Sequence, residues 1–173
     1  MNSMLSLLVS VGIHVGGGIL MGLLTRKNIE TWFDLHLIWK HWEIHRYKTL
    51  KRPKLAPPNK VFGPVWTTLY LMMATSVWLI YSDGGFAKHP FEITVYMIQL
   101  FLNFMWTPLF FGLHVLAISL VEICLMWMTI LYTIILFYPI NPIAAYLLCP
   151  YLLWVSFATY LNYGYWNLNG HSK

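Results

Sequence analysis

The sequence predicts an all-α integral membrane protein: a bundle of five transmembrane helices with a long first loop. Three observations predict it. Of 173 residues, 58% are hydrophobic and only 10% charged, with a mean hydropathy of +0.60. A soluble domain carries about a quarter charged residues, so most of this surface must meet lipid rather than water. Second, the apolar residues gather into five runs, each near the roughly 17–25 residues a spanning helix needs. Third, nine of the 11 basic residues fall in one loop.

The first run, Met4–Leu24, holds no Lys, Arg, Asp or Glu. It lacks a charged leader and a small-residue cleavage site, so it is expected to be retained as a span. Gly12-x-x-x-Gly16 and Gly18-x-x-x-Gly22 give it small faces for close helix packing.

The first loop, about residues 26–60, carries Arg26, Lys27, Lys40, Arg46, Lys48, Lys51, Arg52, Lys54 and Lys60. Only Lys88 lies on the opposite side of a five-span topology, while Lys173 ends the chain on the same side as the loop. The positive-inside rule puts the first loop and the C-terminus in the cytoplasm. The basic excess is a topology signal, and no nucleic-acid partner is expected. Within Thr31–Leu50, Trp32, Leu35, Trp39 and Trp42 recur at helical spacing, which suits an amphipathic helix at the headgroup layer. His41 and His45 stand one turn apart without a third ligand, so no metal site is expected. Pro53, Pro57 and Pro58 then impose extended chain.

Pro64–Tyr81 is the second span, stopped by Ser82-Asp83-Gly84-Gly85. Phe91–Phe111 is the third, Val115–Tyr138 the fourth and Ile143–Trp166 the fifth; the links are short, so consecutive helices should pack antiparallel. Pro108 and Pro150 each free a backbone carbonyl and should kink their helices. Together residues 1–173 form a single membrane domain. Cys124 and Cys149 are expected to be buried small hydrophobes.

Polar groups inside a bilayer are costly and tend to face the bundle interior or a cavity. In the third span Gln99, Asn103, Trp106 and Phe110 share one helix face. The second offers Trp66 and Tyr70 one turn apart. The fifth offers Trp154, Ala158 and Leu161 on one face, with Asn162 and Trp166 beside them. Two readings stay open: helix-to-helix packing, or the lining of a mostly apolar cavity with a few polar groups. Glu122 is the one acid in mid-span, in a structural or a functional role. No nucleophile–base pair, metal set or cofactor motif is present in the sequence, so neither an enzyme nor a bound cofactor is expected.

Pro57-Pro58-Asn59-Lys60-Val61-Phe62-Gly63-Pro64-Val65-Trp66-Thr67-Thr68-Leu69-Tyr70 resembles the loop-to-second-helix signature of the translocator protein family. That family includes the bacterial tryptophan-rich sensory proteins and the peripheral-type benzodiazepine receptor. Gln99 through Gly112 is similar to its third-helix signature, and Pro150 through Tyr163 to its fifth. The resemblance implies a five-helix bundle that often dimerises, in the mitochondrial outer membrane or a bacterial envelope. It implies binding of sterols such as cholesterol, porphyrins such as protoporphyrin IX, and benzodiazepine-like drugs, with transport as the expected outcome. Carried over by motif, the ligand-binding residues are Phe62, Trp66, Asn103, Trp106, Leu125, Trp154, Ala158 and Leu161, with Leu161 and Tyr163 in the sterol motif.

Three departures stand out. Asn167 takes the sterol motif's basic position, Lys60 replaces a usual Trp, and the first loop is longer than usual. Light-dependent porphyrin breakdown through Trp66 and Trp154 is the enzymatic alternative the family implies. A scaffold acting through partner proteins is the third.

Overall fold

The computed structural model describes residues 3–33, 51–113 and 115–169, but not the side chains of Ser3, 26–33 and Asn59. In chain order the elements are α1 (Ser3–Phe33), α2 (Phe62–Ser82), the one-turn α3 (Gly85–Lys88), α4 (Pro90–Thr107), α5 (Leu116–Phe137) and α6 (Pro142–Asn169). A 3-10 turn at Asn59–Val61 leads into α2, and a π turn at Pro108–Gly112 prolongs α4. Among the described residues, five helices are long and apolar enough to cross a bilayer. No strand occurs among the described residues.

Each span forms because an uninterrupted apolar run, in a solvent without hydrogen-bond partners, must satisfy every backbone group internally. Glycine and proline mark the stops. Gly84, at φ 124°, takes a conformation that favours glycine and turns the chain out of α2. Pro90 opens α4 where its missing N–H costs nothing. Asn141 Oδ1 accepts from the Ile143 and Ala144 amides and caps α6.

α1 differs from expectation. The helix continues past Leu24 into what reads as loop, for 31 residues in all. No glycine or proline follows Gly22 until Pro53, so nothing in the covalent chain stops it at the membrane boundary. The remainder of the expected amphipathic segment, with His41 and His45, lies outside the described residues.

Within the chain, the glycine faces of α1 are used only in part. A Cβ on Gly18 would meet the Tyr70 ring at 2.2 Å, and one on Gly17 would meet the Phe104 ring at 2.4 Å. Gly12, Gly16 and Gly22 have nothing within 4 Å. Close approach thus falls on the adjacent pair Gly17 and Gly18, because α1 wedges against both α2 and α4.

Of the neighbours expected from short links, α4–α5 and α5–α6 are found, and α1 packs on α2 although the long first loop separates them. α2 and α4 touch little; α2 lies on α6 instead. The core is built of Met73, Ile80, Tyr96, Ile123, Met126, Phe137, Leu148, Tyr151 and Val155, from four helices. Cys124 is exposed and Cys149 half-buried, so burial of both in the bundle is not what is found. On a lipid-facing helix the bilayer supplies the apolar surroundings that a soluble core would.

Candidate ligand cavity

Because α2 and α4 part, a hollow of about 320 Å³ opens between them at the end where the first loop enters, with α1 as its third wall. That volume lies at the lower end of small-molecule sites. Trp66 and Tyr70 line it from α2, Trp106 and Phe111 from α4 and its π turn, and Gly18 and Gly22 from α1. Phe62, at the first turn of α2, stands at its edge.

The floor is fixed by Asn103. Its Oδ1 accepts from the Tyr70 hydroxyl at 2.8 Å, and its Nδ2 donates to Tyr151 Oη at 2.9 Å. Tyr151 in turn donates to Met126 Sδ at 3.4 Å. This chain sets the amide's orientation and ties α2, α4, α5 and α6 together. Each such bond inside a membrane protein averages only about 0.6 kcal/mol. Its value here is geometric: it holds the Tyr70 ring, and Trp66 packs on that ring at 5.6 Å and against Tyr151 at 6.3 Å.

The π turn shapes the other wall. Pro108 has no N–H, and Leu113 donates to Pro108 O at 2.8 Å, five residues back. The wider turn keeps Phe110 buried and stacks it on Trp106 at 5.0 Å, with Phe111 edge-on to Trp106 at 5.7 Å. The expected kink at Pro108 takes the form of this turn, whereas α6 runs on through Pro150.

The sequence-derived residues divide as follows. Phe62, Trp66 and Trp106 line the cavity, and Asn103 lies under it. Ala158 and Leu161 line a smaller adjoining hollow with Phe62 and Trp106. Trp154 stands behind Phe62, edge-to-face at 5.8 Å, rather than on the cavity wall. Leu125 is 47% exposed on the outer face of α5 and reaches neither hollow. In the sterol motif Leu161 is buried and Tyr163 is exposed; two residues apart on a helix, they cannot share a face. Gln99, Asn103, Trp106 and Phe110 are all buried, as their spacing requires.

Several contributors escape the sequence reading: Gly18 and Gly22 as cavity wall, and Tyr151 and Tyr165 as inward-facing phenols. Tyr165 had a signal, since it falls four residues after Leu161 on the same face. Unpartnered polar atoms also collect in this half. Trp106 Nε1, Trp154 Nε1, Asn162 Nδ2 and both Glu122 oxygens are buried with no hydrogen-bond partner among the described residues, as are both amide atoms of Gln99 in mid-span. No cluster of His, Cys, Asp and Glu that could hold a metal occurs among the described residues.

A five-span bundle with a tryptophan-walled hollow at the end where α2 begins is the architecture to which the three motifs point, and the comparison of the chain decides it. A family model described as TspO/MBR matches residues 10–167. The chain belongs to that family. It is similar to the tryptophan-rich protein TspO of Chlorobaculum tepidum, 41% identical over 71% of this chain and 78% of that protein. It is similar to the translocator protein of Homo sapiens, 40% identical over 71% and 74%. With the tryptophan-rich protein TspO of Archaeoglobus fulgidus the likeness runs nearly end to end, 30% identical over 96% and 99%. The chain is accordingly a multi-pass membrane protein of the translocator type.

Proposed function

We propose that this protein binds flat, hydrophobic small molecules inside the membrane, porphyrins and sterols being the leading classes and benzodiazepine-like drugs the synthetic counterpart, and that it moves them across or along the bilayer. The observation that carries the reading is the cavity walled by Trp66 and Trp106. Indole faces stack on flat rings, and such contacts contribute about 0.5–1.5 kcal/mol beyond area burial. Apolar burial adds roughly 25 cal/mol per Å². The coarser role of a membrane ligand binder follows from family membership.

The orientation belongs to the same proposal, with the first loop and the C-terminus cytoplasmic, in the mitochondrial outer membrane or a bacterial envelope. Binding, rather than catalysis, is favoured: among the described residues the cavity presents no nucleophile beside a base. Photochemical porphyrin breakdown is the alternative, and equal loss of illuminated porphyrin in wild type and Trp154→Phe would end it.

The test is a titration of the purified chain with protoporphyrin IX, following tryptophan fluorescence, with cholesterol as competitor. Saturable quenching that Trp66→Phe with Trp106→Phe weakens is the expected result. Absence of saturation with both ligands would refute the reading.

A further inference from the structure

A second hollow, of about 30 Å³, adjoins the large cavity. Phe62, Trp106 and Phe111 belong to the walls of both. Asn162 of α6 and Pro57, just before α2, help to close its far side. A water molecule's share of liquid volume is about 30 Å³, so this space seats one oxygen-sized group.

Three polar side chains line it, Trp106, Asn162 and Tyr165; the phenol can donate or accept, and the other two hold unpartnered donors. Trp106 Nε1 is a donor only, and it has no partner. Asn162 Nδ2 has none either, while Asn162 Oδ1 accepts from Ser119 Oγ at 3.2 Å. Both side chains are deeply buried, Trp106 at 7% and Asn162 at 1% exposure. Two N–H groups without an acceptor, around a space one oxygen wide, form an incomplete hydrogen-bonding site, because buried donors left unpaired carry a full desolvation penalty.

We propose that the small hollow seats an acceptor oxygen, from a carboxylate or a carbonyl, carried on an arm of the ligand whose flat body lies in the large cavity. Trp106 Nε1 and Asn162 Nδ2 donate to that oxygen, and Phe62 with Phe111 forms the neck through which the arm passes. Asn162 is then a specificity-determining residue that selects oxygen-bearing rings over bare hydrocarbon ones. The inference rests on the proposed ring-binding function and adds the polar half of the ligand's chemistry.

The experiment uses the full chain in detergent and two probes with one ring system. Protoporphyrin IX carries two carboxylates; etioporphyrin carries alkyl groups only. Wild type should bind protoporphyrin IX about tenfold more tightly, the factor expected of one satisfied buried hydrogen-bond site. Asn162→Leu should lower protoporphyrin IX affinity about tenfold and leave etioporphyrin within about twofold. Trp106→Phe, which keeps an aromatic wall but removes the N–H, should act in the same direction and carries the comparison should Asn162→Leu fail to fold. Equal loss for the two porphyrins, or no loss for either, would mean the hollow holds only a structural water and would overturn the proposal. If wild type binds the two rings equally, the oxygen seat fails while ring binding stands. If it binds neither, both fail.

Discussion

The two ends of this bundle hold hollows of similar size and opposite character. At the first-loop end lies the cavity of about 320 Å³; at the other end a groove of about 290 Å³ runs between α1, α2 and α4, lined by Ser10, His14, Trp78 and Tyr96 among others. In the groove these side chains are engaged. Ser10 donates to Ala74 O at 2.9 Å, Trp78 Nε1 to Ser6 Oγ at 3.1 Å, and Tyr96 to Met73 O at 3.0 Å, with His14 bonded to Tyr96 and to Ser10 O. Nearby, Ser76 donates to Ala144 O at 2.7 Å. Toward the first-loop end, Trp106, Trp154, Asn162 and Glu122 hold buried atoms with no hydrogen-bond partner among the described residues, and in mid-span both amide atoms of Gln99 have none either. Volume alone therefore does not identify a binding site here. The unmet demand for polar partners does: apart from Gln99 in mid-span, the unpartnered buried side chains among the described residues are Trp106, Trp154, Asn162 and Glu122.

The largest expected effect breaks the comparison at α1. Gly18→Leu would drive a side chain into the Tyr70 ring and the cavity. Overpacking typically costs 1–3 kcal/mol, so protoporphyrin IX affinity should fall about 100-fold. Gly12→Leu, with nothing within 4 Å, should leave affinity unchanged by the same titration.

Next comes the polar framework. Asn103→Leu strips partners from Tyr70 and Tyr151, and should cost about 1–2 kcal/mol in detergent unfolding. Ser76→Ala, which removes one bond at the opposite end, should cost about 0.6 kcal/mol.

A third difference is in pH response. In the link between α2 and α4, Lys88 and His89 donate to Asp83 Oδ2 at 2.7 and 2.8 Å. The hydrogen bond from Lys88, then that from His89, holds the Asp83 carboxyl below the ordinary carboxylate range. A depressed carboxyl contributes stability that is fully present above its unfolded value, about 3.9, and is lost as pH falls through the lower folded value. The small melting-temperature difference between wild type and Asp83→Asn should therefore hold steady from pH 7 to about pH 4 and close below it.

The smallest effect is local. Asn169, at the end of α6, accepts from the Lys51 amide at 2.9 Å and donates to Lys51 O at 3.2 Å, tying down the segment that leads over the cavity. Asn169→Ala should raise hydrogen exchange at the Lys51 amide by about tenfold with little change in melting temperature.

Much of this was legible in the sequence. The spans follow from apolar length, and the buried face of α4 from the spacing of Gln99, Asn103, Trp106 and Phe110. Cavity walls on α2 and α4 follow from Trp66 and Trp106. What was not legible depends on how helices meet. Gly18 packs on Tyr70 while Gly16 faces outward, a difference of rotation about α1 that no spacing fixes. Leu125, carried over by motif, faces outward for the same kind of reason. The α2–α4 gap is a tertiary property: short links predict neighbours, and nothing in the spacing says that α2 leans on α6 instead. His14 carried a signal, a histidine in mid-span, but its partner Tyr96 lies 82 residues away.

The central claim is that ring ligands occupy the first-loop half of the bundle, and a structure of the full chain with bound protoporphyrin IX tests it most directly. The account predicts the macrocycle between Trp66 and Trp106, with one carboxylate reaching toward Asn162. A macrocycle seated instead in the groove beside His14 and Trp78, or on the lipid face near Tyr163, would contradict it.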